Sequence, residues 1–352
     1  MAFGDTIINW YNINRRDLPW RKTRDPYKIW LSEIILQQTR VEQGLDYYNR
    51  FIAKYPDIRK LASAKEDAVL KLWQGLGYYS RARNMHKTAR DIAGRFNGKF
   101  PEDYAGIISL KGIGSYTAAA ILSFAFRKNY AVVDGNVFRV LSRYLGIATP
   151  VNASSAKKEF YESAMELMSG YQPDEFNQAI MEFGALQCKP RNPSCESCPL
   201  NNSCYAFSKK KVSDFPVKGK KAHVRNRYFN YLHIHRGEKV LIRKRTGNDI
   251  WKNMYDFPMI ETSRKISSGK LMELKEWKDH YFKKGFQLLS ESKTIRHQLT
   301  HQTIYAKFYR LRITSGIPLE GIKLINPKRI HHFALPRLIE IYLRSAEAND
   351  QS

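Results

Sequence analysis

Apolar positions recur every three to four residues through most of the first two hundred positions. Tyr27, Trp30, Leu31, Ile34 and Ile35 lie on one such stripe, opened by Asp25-Pro26, an N-cap acid followed by proline at the first helical position. The same period predicts helices over residues 65–76, 80–96, 115–126, 137–145 and 154–168. Gly75-Leu76-Gly77, Phe100-Pro101, Lys111-Gly112-Ile113-Gly114 and Thr149-Pro150 separate them. No strand pattern interrupts this stretch, so residues 1–207 read as an all-helical region of one or two lobes. After residue 227 the period becomes two. Residues 228–235 and 239–245 alternate around Arg236-Gly237-Glu238 as a hairpin would, and residues 303–313 alternate again. A helix starting near Pro336 carries Leu338, Ile339, Tyr342 and Leu343. Residues 227–346 therefore form a second, α+β domain of ordinary size. Residues 208–226 between them are rich in lysine with no apolar stripe. They read as an exposed linker, either lying along a phosphate backbone or simply solvated.

Composition narrows the partners. Hydrophobic residues make up 43% and aromatics 13% of the 352 residues, enough for globular cores. The longest nearly apolar run, residues 118–126, falls well short of the roughly 20 that a membrane span needs. The N-terminus lacks a basic segment followed by an apolar one, so a cytoplasmic location is expected, bacterial by default. Lys and Arg number 59 against 33 Asp and Glu, a formal charge of +26. A field of that sign attracts polyanions, nucleic acid above all, without choosing DNA over RNA.

The four cysteines, Cys188, Cys195, Cys198 and Cys204, are separated by six, two and five residues. A secreted disulfide framework would spread its cysteines over the chain, whereas these form one candidate metal site, for a tetrahedral zinc or a [4Fe–4S] cluster. Structural zinc sites usually present two close pairs, and here only one pair is close. Together with the neighbours Phe183-Gly184-Ala185-Leu186-Gln187 and Pro199-Leu200, the spacing resembles the iron–sulfur loop of the endonuclease III superfamily of DNA glycosylases. That resemblance implies a [4Fe–4S] cluster on the four thiolates, with Lys189 and Arg191 of the loop directed to DNA.

Leu110-Lys111-Gly112-Ile113-Gly114-Ser115-Tyr116 places two glycines before a helix, where backbone N–H groups and the positive end of the helix dipole suit a phosphate. With no strand before it, the turn is not a dinucleotide-binding one. It resembles a helix–hairpin–helix that grips DNA backbones without reading sequence. Lys111 stands where many relatives carry proline.

Glycosidic bonds break with an acid to assist the leaving group and a carboxylate to stabilise a cation-like sugar. Two acids fit these roles. Glu33 follows Trp30 by three residues and so lies beside the apolar face of its helix, where desolvation would raise its pKa. Asp134 ends an apolar run just before a helix, where the dipole keeps a carboxylate ionised. Taken alone, Glu33 reads more readily as a boundary residue and Asp134 as an N-cap.

Ser32-Glu33-Ile34-Ile35-Leu36-Gln37-Gln38-Thr39 and Val133-Asp134-Gly135-Asn136-Val137 resemble signatures of the adenine DNA glycosylase (MutY-type) family. So do Leu18-Pro19-Trp20-Arg21 and Gly75-Leu76-Gly77-Tyr78-Tyr79-Ser80-Arg81-Ala82. The resemblance implies that Glu33 protonates adenine, at N7, and that Asp134 stabilises the sugar cation or adds to it. Asn136 would hold the nucleotide or the attacking water. It places Gln38 and Tyr78 as wedges in the duplex, with Arg16, Trp20, Arg21, Leu36 and Gln178 around the extruded base. Lyase relatives carry a lysine where this chain has Tyr116, so the expected enzyme is monofunctional, with Tyr116 as active-site support and Gly112 and Gly114 on the phosphate. In the family a C-terminal Nudix-like domain senses 8-oxoguanine. Arg296-His297-Gln298-Leu299-Thr300-His301 matches its recognition loop, with Leu299 for Phe and Thr300 for Ser, and residues 251–258 match another stretch. The alternative for His297 and His301 is two residues on one face of a strand. No Glu-rich Nudix catalytic box is present, so pyrophosphate hydrolysis is not expected.

The expected architecture is thus multidomain: an all-α helix–hairpin–helix glycosylase region with an iron–sulfur loop, then an α+β Nudix-like domain. The expected activity is hydrolysis of the N-glycosidic bond of adenine opposite 8-oxoguanine or guanine in double-stranded DNA, by a monomer that needs no membrane. An endonuclease III-type enzyme for oxidised pyrimidines and a non-catalytic iron–sulfur DNA-binding protein are the alternatives.

Overall fold

The structure is a computed structural model that describes residues 2–219, 224–280, 286–313 and 321–350. The first part of the chain contains helices α1 (Phe3–Asn14), α2 (Pro26–Leu36), α3 (Val41–Lys54), α4 (Ile58–Ser63), α5 (Glu66–Trp73), α6 (Ser80–Arg95), α7 (Tyr104–Ile108), α8 (Ser115–Phe126), α9 (Gly135–Leu145), α10 (Ala156–Met168), α11 (Pro173–Leu186) and α12 (Tyr205–Ser208). Strands β1 (Arg225–Arg236), β2 (Lys239–Lys244), β3 (Tyr255–Asp256) and β4 (Met259–Thr262) follow, then helices α13 (Ser268–Glu273) and α14 (Lys275–His280). Strands β5 (Gln287–Glu291), β6 (Ile295–Gln298), β7 (Gln302–Arg312) and β8 (Ile322–Ile325) precede the final helix α15 (Arg337–Asp350). No helix among the described residues is long and apolar enough to cross a membrane.

Two compact units divide the chain: residues 1–63 with 84–220, and residues 64–83 with 221–352. Residues 64–83, helical by sequence, thus cluster with the C-terminal part. The reason is a set of polar ties: Lys244 Nζ donates to Asp67 Oδ1 (2.6 Å), Tyr255 Oη to Asp67 Oδ2 (3.1 Å), and Arg83 Nη1 to the Lys252 carbonyl (2.9 Å).

In the first unit, α8 is buried on nearly every side from Thr117 to Ser123 and packs on α2, whose residues from Ile29 to Ile35 are all buried. A larger core joins α1, α9, α10 and α11 through Ile7, Val137, Leu141, Phe160, Phe176 and Phe183. The latter is a continuous apolar cluster of the kind that holds a domain together. Asp25 caps α2 by accepting from the Tyr27 N–H, and Asp134 caps α9.

Segment 208–219 is not the exposed tether its lysines suggest. Phe215 is buried, Arg143 Nε donates to the carbonyls of Val212 (3.1 Å) and Phe215 (3.2 Å), and the Val151 N–H donates to the Val217 carbonyl (3.1 Å). Val212, Phe215 and Val217, interleaved with the lysines, anchor it to the helical unit. Lys220 and Lys221 of the same predicted linker lie outside the described residues.

The second unit holds an eight-stranded mixed sheet, in which β1 and β7 run parallel from Arg225↔Gln302 to His235↔Arg312 and the other pairs are antiparallel. The predicted hairpin forms between β1 and β2, with Arg236 opposite Lys239 and Gly237 in the left-handed region of the turn. Apolar residues on one side of the sheet, among them Leu232 and Leu311, pack with Leu271 of α13 and Trp277 of α14. On α15, Tyr342 stacks on Phe308 with ring centroids 3.9 Å apart.

Candidate active site

A cavity of about 450 Å³ opens in the helical unit between α2, α8, the start of α9 and α11. Glu33, Tyr116, Asp134 and Asn136 line it, as do Arg16, Trp20, Arg21, Leu36, Gln38 and Gln178. Residues a hundred positions apart in sequence are therefore brought to one site.

Glu33 is 7% exposed, on the inner face of α2. Burial lifts its pKa to about 7, the hydrogen bond from Tyr116 and the charge of Arg21 pull it back, and the nearby Asp134 charge adds to the rise. Tyr116 Oη donates to Glu33 Oε2 at 2.7 Å. Burial drives the Tyr116 pKa well up, so its hydroxyl keeps the proton it donates. Lys111 is not among the residues lining the cavity.

Asp134 has a different environment. Its Oδ1 accepts the backbone N–H groups of Asn136 and Val137, each at 2.8 Å, and Oδ2 accepts Asn136 Nδ2 at 2.7 Å. Burial leaves its pKa raised above the ordinary aspartate value, although these three donors and Arg139 pull it back. Three N–H groups converging on two oxygens is the pattern of a carboxylate. The two acids thus stand in unlike settings, one protonatable near neutrality and one held by donors.

Three residues of the site carry no obvious sequence signal. Glu182, 1% exposed, accepts from Arg16 Nε (2.9 Å) and Nη2 (2.7 Å) and from Arg21 Nη1 (2.9 Å) and Nη2 (2.7 Å). Burial would raise its pKa, but the hydrogen bonds from Arg16 and Arg21 overcome that and hold it at about 2. The doubly forked carboxylate keeps both guanidiniums at the cavity wall. Its spacing of four from Gln178 on α11 puts the two on one helix face, the one signal available beforehand. Arg139, one turn into α9, donates to Asn136 Oδ1 (2.7 Å) and to the carbonyls of Gly184 (2.7 Å) and Cys188 (2.7 Å). Arg143, a turn further, donates to Cys188 Sγ (3.4 Å) and the Lys189 carbonyl (2.7 Å). One helix therefore carries the Asp134 cap at its start and two cysteine-loop contacts further along.

Cys188, Cys195, Cys198 and Cys204 ring a small recess walled by Val140, Tyr144, Phe183, Leu200 and Phe207. Among the described residues no three His, Cys, Asp or Glu side chains are grouped to hold a single metal ion. Burial pushes the Cys198 thiol up to about 11, so the thiolate form there requires a bound metal. Four thiols, an apolar wall and the Arg143 cation fit an anionic iron–sulfur cluster. Lys189 and Arg191 of the loop are exposed.

Apart from Gln38, the remaining predicted residues lie outside the cavity lining. Gly112 has φ +80°, a left-handed conformation that favours glycine, and a side chain there would press on Asn84. Gly114 caps α8, with open space where a side chain would be. Gln38 (φ +55°) and Tyr78 (φ +45°) are both exposed non-glycine residues in the left-handed region, a strain that concentrates at functional positions. Gln38 also lines the cavity, whereas Tyr78 belongs to the second unit. There Leu299, Thr300 and His301 form the β6–β7 turn, with the Leu299 N–H donating to the Gln302 carbonyl (2.8 Å). His297 lies on β6 and His301 in the turn, so they are not two residues of one strand face. His297 packs on Trp251.

Known proteins agree with this arrangement. Residues 31–169 match the HhH-GPD superfamily of base excision DNA repair proteins, residues 188–204 the iron–sulfur binding domain of endonuclease III, and residues 230–345 the NUDIX domain. The chain is 38% identical to the adenine DNA glycosylase of Buchnera aphidicola subsp. Baizongia pistaciae, over 87% of this chain and 84% of that protein. With the adenine DNA glycosylase of Buchnera aphidicola subsp. Acyrthosiphon pisum it shares 34% identity over 99% and 98% of the two chains. A thermostable thymine-DNA glycosylase superposes with a TM-score of 0.55 at 35% identity, over 59% of this chain and 95% of that one. With an iron–sulfur loop, a helical glycosylase region and a Nudix-like domain in one chain, the protein belongs to the adenine DNA glycosylase family of base excision repair enzymes.

Proposed function

We propose that the protein removes adenine paired with 8-oxoguanine or guanine from duplex DNA, and that it leaves the strand intact. The observation that carries the reading is the convergence of Glu33 and Asp134 on one base-sized cavity with unlike electrostatics. A paired base is out of reach, so the nucleotide must leave the stack before it can enter. Gln38 and Tyr78 are the residues that would fill the gap. Within the cavity, Arg16 and Arg21, fixed by Glu182, and Gln178 would surround the base.

Glu33, as the carboxylic acid, gives its proton to a ring nitrogen of adenine, N7 in this reading. The C1′–N9 bond then breaks, with its electron pair leaving on the neutral base. Asp134, as the carboxylate, offsets the positive charge that develops on the sugar, either electrostatically or by a covalent bond to C1′. Water, oriented by Asn136, completes the hydrolysis to an abasic site. Tyr116 holds Glu33 in place and supplies no amine, so no Schiff base forms and the backbone is not cut. Gly112, Gly114 and the N-terminus of α8 grip a neighbouring phosphate. The iron–sulfur cluster, when bound, cross-links residues 188–204. Thr300, with Leu299 and His301, faces the base opposite adenine.

Adenine release from duplexes carrying adenine opposite 8-oxoguanine, guanine or thymine tests the reading, with Glu33→Gln and Asp134→Asn as controls. Release from the first two, and its loss in both variants, is expected. A covalent adduct trapped by borohydride would reveal a lyase and overturn the monofunctional assignment.

A further inference from the structure

The loop that carries Tyr78 is bonded to itself and then to the C-terminal part of its own unit. Trp73 Nε1 donates to the Gly77 carbonyl (3.0 Å), the Gly75 N–H to Tyr79 Oη (3.2 Å), and Arg81 Nη2 to the Leu76 carbonyl (3.3 Å). The Arg81 guanidinium lies over the rings of both Trp73, at 5.1 Å, and Tyr78, at 5.6 Å. These bonds give the loop its shape but do not say where it points. At its base stands Gln74. Its Oε1 accepts from Lys71 Nζ (2.9 Å) and from the Leu335 N–H (3.3 Å), and its Nε2 donates to Glu340 Oε1 on α15. Lys71 Nζ also donates to the Phe333 carbonyl (3.3 Å). At the tip, the Tyr78 and Thr300 hydroxyls are hydrogen-bonded.

We propose that Gln74 is a positioning residue through which the C-terminal domain aims the Tyr78 wedge. The proposal rests on the reading above that Tyr78 enters the duplex. One amide ties the root of the wedge loop to two separate features of the domain, the 333–335 segment and the start of α15. Both of its ends are used, so rotating the amide breaks bonds on each side. The Gly75 and Gly77 backbones, with φ of +102° and +72°, sit directly after it and leave the loop free to swing once that anchor is gone. The hydroxyl contact at the tip then joins the wedge to the turn that faces the opposite base.

Gln74→Ala tests this in the full-length, cluster-loaded protein. Hydrogen exchange of the amides of residues 75–79 should quicken about tenfold, the size expected for losing one hydrogen bond to a charged group. Single-turnover adenine release should slow by a similar factor, about tenfold, on paired duplexes. It should hold steady when adenine faces an abasic gap, where no pair has to be opened. Exchanging the partners in Gln74→Glu with Glu340→Gln restores an amide–carboxylate pair and should restore both readouts. Equal slowing on both substrates, unchanged exchange in Gln74→Ala, or no rescue by the exchange would each overturn the proposal. If the wild-type protein released no adenine from any duplex, the functional reading would fall. The exchange measurement would still report on the tether.

Discussion

The cavity of the helical unit and the β6–β7 turn of the second unit are both polar, yet they are built in opposite ways. In the cavity, Glu33 and Glu182 are almost wholly buried, and each carboxylate is held by donors from other elements. In the turn, Thr300 and His301 are exposed and their backbone is an ordinary hairpin connection. Burial is what shifts a pKa and makes a few hydrogen bonds strong, so the chemistry belongs in the first setting. The proposed reading of the opposite base needs exposed donors and acceptors that can exchange partners, and the Thr300 hydroxyl, bonded to Tyr78 at the surface, is such a group.

Substitutions at the two carboxylates should separate these regions most sharply. Glu33→Gln and Asp134→Asn should each lower single-turnover adenine release by about a thousandfold, the middle of the range for a lost catalytic acid and the top of that for a lost charge stabiliser. Loss of less than about tenfold in both would mean the cavity is not where the bond breaks. Next in size is Glu182→Gln, which leaves two guanidiniums at the wall without their counter-charge. About 3 kcal/mol of stability should be lost in denaturant melts. Glu182 is held at about 2 in the folded state, below its ordinary 4.5. Its contribution is therefore fully present above about 4.5 and disappears as pH falls toward 2, and the Gln variant should lose that acid dependence.

The pH profile has a smaller but more specific effect. In the proposed reaction Glu33 is the acid and must be protonated, and burial lifts its pKa to about 7. Release should be level below that value and fall about tenfold for each pH unit above it. A profile flat to pH 9 would remove Glu33 as the acid. The smallest effect is expected at the turn. Thr300→Ala should change the rate on either substrate only a few-fold, a loss of about 1 kcal/mol for one exposed hydrogen bond. The change should be larger opposite 8-oxoguanine than opposite guanine. An equal change on both would mean that Thr300 does not read the opposite base.

How much of this was legible in advance depended on how local the cause was. Asp25 and Asp134 were readable as caps because capping is a bond to the next three residues. The cysteine loop was readable from its spacing, and the β1–β2 hairpin from alternation about Gly237. The helix read over residues 65–76 stops at Trp73 because Gly75 and Gly77 take left-handed backbones. Glu182 was silent because a lone acid between Met181 and Phe183 looks like any other until Arg16 and Arg21 meet it. The burial of Phe215 was hidden for the same reason, its lysine neighbours advertising solvent.

Periodicity, caps and cysteine spacing were enough to establish the helical and α+β regions and the metal loop, because each depends on neighbours within a few positions, and the net positive charge follows from composition alone. The placing of Glu33, Tyr116 and Asp134 around one cavity, the rise of Glu33 to about 7, and the attachment of residues 64–83 to the C-terminal domain belong to the folded chain alone. Desolvation and long-range hydrogen bonds exist only once distant segments have packed, and no local pattern encodes them.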